Sequence, residues 1–110
     1  KQIPSGSSVW KIYSISELGA LLPFYIGQTV NLPRRIKEHL SARAKASSAA
    51  KIAAMMGCDE LPVFRILATC HSRAEADAQE LRGIAHALAN GACLENAKQE
   101  MRAAQKLPKP

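Results

Sequence analysis

Two short segments near the start of the chain have the hydrophobic pattern of β-strands. In residues 9–15, Val9, Lys11, Tyr13 and Ile15 fall on one face of an extended chain, and Trp10, Ile12 and Ser14 on the other. Residues 21–27 are a second β-rich run, and the loop between the runs contains Gly19. Two such runs across a short loop predict a β-hairpin. Pro23 favours an edge position for the second strand, or a strand that begins after it.

A helical period begins near residue 31. Its signals are Asn31 as a candidate N-cap, Pro33 in the first turn, and Leu32, Ile36 and Leu40 at intervals of four. These signals predict a helix, which we expect to continue to about residue 46. Ser47 and Ser48 each offer a cap for a second, shorter helix through Met56, which Gly57 ends.

The second half of the chain predicts one more strand and two more helices. Residues 61–69 are rich in strand-forming side chains, and Ser72 caps a third helix that ends before Asn90 and Gly91. The apolar stripe predicted for that helix is Ala74, Ala78, Leu81, Ala85 and Leu88. Residues 94–104 predict a last short helix. The order ββααβαα predicts a small α/β domain of the α+β type, with a three-stranded antiparallel sheet flanked by helices.

The composition agrees with one folded domain. The 110 residues are 47% hydrophobic and 22% charged, and no apolar run is long enough to span a bilayer. These properties exclude a disordered chain and a transmembrane protein. We expect residues 1–8 to be a flexible lead-in, 9–104 the domain and 105–110 a loose tail. Since the chain has neither an initial Met nor a signal-peptide pattern, we expect either a trimmed chain or an excised domain of a longer protein.

The cysteines indicate the cellular location of the protein, and the charge indicates its possible partners. The three cysteines lie far apart without a CxxC pair, which is typical of a reduced protein, so we expect a cytoplasmic location. The formal net charge is +6. The basic residues concentrate in Arg34, Arg35, Lys37, Arg43, Lys45 and Lys51, with only Glu38 opposing. Such a run either binds phosphate backbones or is a solvated helix face.

Two motifs in the predicted hairpin resemble the paired strand motifs of the GIY-YIG nuclease family. They are Lys11-Ile12-Tyr13 and Tyr25-Ile26-Gly27-Gln28-Thr29. Residues 31–40 are similar to the family's next block, in which an Arg and a His lie four apart. Residues 76–80 and Ile84 are similar to its metal-binding block, and Asn96 lies where the family often has an Asn. The resemblance covers residues 10–96. It departs at Lys11, where the family has Gly, and we interpret this as a tolerated variant.

Arg35 and His39 lie on one face of the predicted helix because they are four residues apart. A guanidinium can hold two phosphoryl oxygens at once, and an imidazole can move a proton. Without the surrounding motifs, the pair reads as two solvent-facing side chains on a basic helix. With them, the resemblance implies that Arg35 holds the scissile phosphate, and that His39 hydrogen-bonds the attacking water or Tyr13.

Glu80 lies at the edge of the apolar stripe, on the same helix face as Ala76 and Ile84. A carboxylate there needs a partner. Mg²⁺, a hard cation that keeps most of its waters, can be held by one carboxylate and a substrate phosphate, and we expect Mn²⁺ to substitute for it. The alternative is a salt bridge from Glu80 to Arg65 or Arg35.

Tyr13 and Tyr25 are either aromatic sheet residues or parts of an active site. The resemblance favours the second interpretation, with Tyr13 as the general base and Tyr25 shaping the pocket. A free tyrosine has a pKa near 10, so a base of this kind needs nearby positive charge. Lys11 and Arg35 are candidates to supply it.

The resemblance therefore implies a Mg²⁺-dependent DNA endonuclease. Its predicted catalytic residues are Tyr13, Tyr25, Arg35, His39 and Glu80, with Glu80 as the metal ligand. Predicted substrate contacts are Gly27, Arg34, Lys37, Arg43, Lys45 and Asn96; for Asn96, support of Glu80 is an alternative. DNA is the expected partner, an appended DNA-targeting domain is expected to find the site, and no membrane is involved. Two alternatives stay open: an inactive module of the same fold that binds nucleic acid, and a basic protein-interaction domain docking through Met55 and Met56.

Overall fold

The described chain forms a three-stranded sheet with helices packed on its two faces. The computed structural model describes residues 9–41 and 46–107. Its elements are β1 (Trp10–Ser16), β2 (Tyr25–Thr29), α1 (Leu32–Leu40), α2 (Ala49–Gly57), β3 (Val63–Cys70), α3 (Arg73–Ala89) and α4 (Lys98–Gln105). This order confirms the predicted ββααβαα arrangement. Within these residues, no helix is long and apolar enough to cross a membrane.

Strand β1 lies in the centre of the sheet, antiparallel to β2 on one side and to β3 on the other. The predicted hairpin of β1 and β2 is confirmed, and it places Tyr13 directly opposite Gly27. On the other side, the register with β3 shifts between Ile12 and Tyr13. A shift of this kind is a β-bulge, which changes the local twist of the strands.

The alternation along β1 divides the core into two clusters, one on each face of the sheet. The cluster beneath α3 and α4 contains Ile12, Ile26, Cys70, Ala76, Ile84, Ala87, Ala92, Leu94 and Ala104. The cluster beneath α1 and α2 contains Tyr13, Ile15, Phe24, Tyr25, Ile52 and Met55. Both tyrosines of the motifs are therefore core residues of the second face as well as candidate site residues.

The second strand begins at Tyr25, after Pro23, and lies at the edge of the sheet, so both positions that Pro23 favours are confirmed; residues 21–24 of the β-rich run lie outside the strand. The preceding segment is a turn, in which Gly19 has a φ of +82° and Leu21 is 99% exposed. Pro23 has no N–H to donate to a strand ladder. Pairing starts where the N–H of Phe24 donates to the carbonyl of Ile15 at 2.8 Å.

Two helix boundaries also differ from the prediction. Helix α1 ends at Leu40, because Ser41 takes an extended backbone conformation; residues 42–45 of the predicted extension lie outside the described residues. Helix α4 begins only at Lys98. Residues 94–96 follow the outer edge of β2 instead, where the N–H of Glu95 donates to the carbonyl of Phe24.

The buried face of α3 is rotated from the predicted stripe. Its fully buried residues are Ala76, Ile84 and Ala87, while Leu81, Ala85 and Leu88 are partly buried. Ala74 and Ala78 are exposed, so their predicted place in the stripe is wrong. The helix carries alanine on two opposite faces, one with Ala74 and Ala78 and the other with Ala76 and Ala87, and small apolar side chains alone do not select which face is buried.

Candidate active site

The hydroxyl of Tyr13 is the point where β1 and α1 meet. It accepts a hydrogen bond from Nε of Arg35 at 3.2 Å and lies 2.7 Å from Nε2 of His39. Helix α1 is set in place at its start, where the side chain of Asn31 accepts from the N–H of Arg34. Because Arg35 and His39 are one helical turn apart, both side chains reach the same hydroxyl.

Gly27 leaves the space that the Tyr13 hydroxyl occupies. A Cβ atom at position 27 would lie 2.6 Å from the Tyr13 oxygen, closer than any real contact of this kind. The two residues are direct partners across the β1–β2 ladder. Position 27 in the second motif therefore requires glycine because the hydroxyl of Tyr13, in the first motif, fills the space where a side chain would begin.

Burial determines the protonation states of the Tyr13 hydroxyl and the His39 imidazole. Tyr13 has no exposed surface and His39 is 2% exposed. Burial raises the pKa of Tyr13, although the hydrogen bond from Arg35 acts in the opposite direction. Burial, and then the charge of Arg35, lower the pKa of His39 to about 4, against a smaller opposite effect of Glu38. Near neutral pH, the tyrosine is therefore protonated and the imidazole is neutral.

The positive charge expected beside Tyr13 comes from Arg35. The Lys11 ammonium instead donates to Oγ1 of Thr69 on β3, at 3.4 Å. Arg35 also donates through Nη1 to Glu38 at 3.0 Å, and its side chain is 32% exposed. Among the described residues that touch the Tyr13 hydroxyl, Arg35 is the one that reaches solvent.

Tyr25 forms the wall of the site. Its ring centroid lies 6.3 Å from that of Tyr13 and 5.2 Å from that of His39, in an edge-on arrangement with the imidazole. Tyr25 is 8% exposed, and burial raises its pKa. These contacts fix the orientation of the His39 ring.

Glu80 is a half-buried carboxylate on the face of α3 that also carries Ala76 and Ile84. It accepts a hydrogen bond from Nε2 of Gln28 at 2.9 Å, and the same Nε2 donates to Asp77 at 2.8 Å. Burial raises the pKa of Glu80. Within the described part of the chain, neither Arg35 nor Arg65 forms an ion pair with Glu80, and Arg35 pairs with Glu38 instead.

Strand β2 links Glu80 to the tyrosines. Glu80 accepts from Gln28, and Gln28 follows Gly27, the direct partner of Tyr13 across the β1–β2 ladder. The candidate active site is therefore built from β1, β2, α1 and α3 together.

The donor set around Glu80 fits a hard cation held by few protein ligands. Among residues 9–41 and 46–107, no group of three or more His, Cys, Asp and Glu side chains could hold a metal. The Glu80 carboxylate offers two oxygen atoms as ligands. Among these residues, no Lys, Arg or His side chain forms an ion pair with it. One carboxylate, with waters and substrate oxygens completing the shell, is a mode that suits Mg²⁺.

Gln28 and Ser48 make polar contacts with candidate site residues that the sequence does not predict. Gln28 bonds both Asp77 and Glu80, and its Oε1 is buried without a hydrogen-bond partner among the described residues. Its place inside the second motif, on the strand face of Ile26, was the available signal. The prediction that Ser48 caps a helix with its side chain is wrong: the side chain makes no capping hydrogen bond, and its hydroxyl lies 3.4 Å from Nδ1 of His39.

The predicted substrate contacts lie in different places. Arg34 and Lys37 are exposed on α1, and Arg34 pairs with Glu38 at 3.4 Å. Arg43 and Lys45 lie outside the described residues. Asn96 is buried, and its amide bonds the N–H and carbonyl of Ile26 at 3.0 and 2.7 Å, which ties the segment before α4 to the edge of β2.

Comparison with known proteins identifies the family. The model of the GIY-YIG catalytic domain matches residues 9–91, a span that includes Tyr13, Tyr25, Arg35, His39 and Glu80. No curated protein and no solved structure matches the chain. A GIY-YIG domain points to nuclease activity in general. With this match over most of its length, and with the fold and side-chain arrangement described above, the chain belongs to the GIY-YIG catalytic domain family.

Proposed function

We propose that this domain is a divalent-metal-dependent endonuclease that hydrolyses phosphodiester bonds of DNA. The observation that carries the proposal is the chain of contacts from Arg35 through Tyr13 to His39, with Glu80 bonded to Gln28 on the neighbouring strand. Phosphodiester hydrolysis needs a positive group that binds the phosphate, a proton acceptor and a carboxylate that can hold a metal ion. Arg35, His39 and Glu80 are the candidates for these roles.

The Tyr13–His39 pair takes the proton from the attacking water. Since burial keeps Tyr13 protonated, its oxygen accepts a proton only as its own proton passes to Nε2 of His39. The water oxygen forms the new bond to phosphorus, and the bond to the 3′ oxygen breaks. Tyr13 thereby relays the proton, and His39 stores it.

Arg35 binds the scissile phosphate and controls access to Tyr13. Its guanidinium is shared between the buried Tyr13 hydroxyl and the exposed carboxylate of Glu38. A phosphodiester of DNA carries one negative charge, as Glu38 does, but it can accept the planar guanidinium at two oxygens, whereas the described contact with Glu38 is a single hydrogen bond. DNA binding therefore draws Arg35 away from Glu38, and this movement opens a path for water to the Tyr13 hydroxyl.

Glu80 holds the divalent cation, which we propose to be Mg²⁺ with Mn²⁺ as a substitute. When bound, such a cation stabilises charge on the phosphate and on the leaving 3′ oxygen. Gln28 orients the carboxylate through its hydrogen bond to one oxygen of Glu80.

The exposed basic side chains of α1 indicate how the domain would bind DNA. Arg34 and Lys37 extend the positive charge of Arg35 along the exposed face of α1, and we propose that this face follows the DNA backbone, with the basic residues 43 and 45 as further contributors. The predicted substrate contacts Gly27 and Asn96 are instead framework residues: Gly27 leaves room for Tyr13, and the buried Asn96 bonds the backbone of Ile26. An appended domain directs the nuclease to its target. Cys58, Cys70 and Cys93 are free thiols, in keeping with a reducing, cytoplasmic environment.

Plasmid cleavage tests this function. The purified protein is incubated with supercoiled plasmid in Mg²⁺, in Mn²⁺ and in EDTA, beside the isosteric variant Glu80→Gln and the control Glu60→Gln, which makes the same change at an exposed position. We expect nicking or linearisation in either metal, none in EDTA, and a loss of about a hundredfold or more in Glu80→Gln alone. No cleavage by the parent, with salt-sensitive DNA binding intact, would favour the inactive binding module instead.

A further inference from the structure

Ser48 occupies the N-cap position of α2 without capping the helix. Its side chain makes no capping hydrogen bond, whereas Ser72, at the same position of α3, accepts from the N–H of Glu75 at 3.1 Å. Ser48 has no exposed surface, and its hydroxyl lies 3.4 Å from Nδ1 of His39. A serine placed to cap a helix therefore faces the imidazole of the candidate active site instead.

Arg35 determines the direction of the hydrogen bonds that lead to Ser48. A guanidinium can only donate, so the Tyr13 oxygen is the acceptor in that contact. The proton of the Tyr13 hydroxyl then points to Nε2 of His39, 2.7 Å away, and Nε2 is an acceptor. Because His39 is neutral, its single N–H is at Nδ1, on the side of Ser48.

The opposite tautomer leaves a buried donor without a partner. With its proton on Nε2, His39 would donate to the Tyr13 oxygen, which already accepts from Arg35. The Tyr13 proton would then have no acceptor among the described residues that contact its hydroxyl. An unmade hydrogen bond of a buried donor is costly, so the contacts favour the Nδ1–H form.

We propose that Ser48 is a positioning residue that accepts a hydrogen bond from Nδ1 of His39 and thereby keeps Nε2 open to receive a proton from Tyr13. The inference rests on the proposed relay, in which Nε2 is the proton acceptor. Free imidazole favours the proton on Nε2, the form in which His39 could not take a proton from Tyr13. The contact between the Tyr13 hydroxyl and Nε2 opposes this preference, and Ser48 adds a second hydrogen bond that favours the Nδ1–H form.

Ser48 also matters after the proton has moved. His39 then carries a proton on each nitrogen, and this cation is buried away from water. Its Nε2–H donates to Tyr13 and its Nδ1–H to Ser48, so both donors are satisfied. Without the Ser48 oxygen, one N–H of the cation would be left unpaired.

The tautomer can be measured without any DNA. Long-range ¹H–¹⁵N NMR spectra of the full chain distinguish a protonated from an unprotonated imidazole nitrogen. His39→Gln identifies the His39 signals, and the exposed His71 and His86 serve as references. We expect the parent to carry the His39 proton on Nδ1, and Ser48→Ala to shift the population toward Nε2. A parent with the proton on Nε2, or a tautomer that is the same in Ser48→Ala, would overturn the inference.

Ser72→Ala is the matched control because it removes a serine that does cap its helix. We expect it to lower the melting temperature and to leave the tautomer and kcat unchanged. Ser48→Ala should lower kcat for plasmid cleavage about tenfold, a part of the usual contribution of proton transfer, with KM unchanged. An unchanged kcat in Ser48→Ala beside an active parent would contradict the positioning role, whereas an inactive parent with the Nδ1–H tautomer would contradict only the proposed function.

Discussion

The hydroxyl of Tyr13 lies 2.7 Å from Nε2 of His39 although 26 positions separate them in the chain. The contact joins the central strand to the first helix in a place that water does not reach. Burial raises the pKa of the phenol and lowers that of the imidazole, so the proton stays on Tyr13 until a reaction supplies another. In the proposed relay, His39 is the group that receives this proton from Tyr13.

Gly27→Ala should damage the site through sterics alone. The new Cβ would lie 2.6 Å from the Tyr13 oxygen, so the ring or β2 has to move. We expect a loss of about 1–3 kcal/mol in the free energy of unfolding, and cleavage reduced with it. Gly57→Ala is the control, since no atom lies within 4 Å of its added Cβ. Urea denaturation gives both stabilities, and equal effects of the two substitutions would refute the steric account.

Glu38→Gln should strengthen DNA binding. Glu38 pairs with both Arg34 and Arg35, and the amide would release both guanidinium groups for phosphate. We expect Kd to fall about threefold at low salt, with the difference shrinking as salt is added. Glu17→Gln makes the same change in net charge by breaking the pair with Lys51. Similar gains in the two variants, measured by fluorescence anisotropy, would show that total charge and not the release of Arg35 is responsible.

Stability should fall in acid because His39 is buried in its neutral form. The folded pKa is about 4, whereas an unfolded histidine has a pKa of about 6.5, so the unfolded state binds the proton first as the pH falls. This contribution is complete above about pH 6.5 and is lost by about pH 4, an effect of about 3 kcal/mol. Denaturation curves of the parent and of His39→Gln across this window measure it. The same pH dependence in both proteins would disprove the assignment.

Periodicity predicted the framework of the fold because each element has its own spacing. Alternation along residues 9–15 placed Ile12 and Tyr13 on opposite faces, and both are buried there. The spacing of Arg35 and His39 likewise predicted one shared helix face. Alanine on two opposite sides of α3 carried no such information, so the buried face centred on Ala76 and Ile84 was partly missed.

Contacts between elements that are distant in the chain could not be predicted from the sequence. The bond from Gln28 to Glu80 depends on how α3 packs across β2, and that from Ser48 to His39 on the angle between α1 and α2. Neither angle is encoded in a local pattern. The motif as a whole showed that the residues belong together, and the structure adds which atom faces which.

A double-mutant cycle on Tyr13 and His39 tests the central claim, that the two side chains move one proton together. Initial rates of plasmid nicking in Mg²⁺ are compared for the parent, Tyr13→Phe, His39→Gln and the double variant, each shown to be folded by circular dichroism. We expect each single substitution to slow nicking about a hundredfold or more, and the double variant to be no slower than either single one. Losses that multiply in the double variant, or a Tyr13→Phe protein as fast as the parent, would contradict the relay.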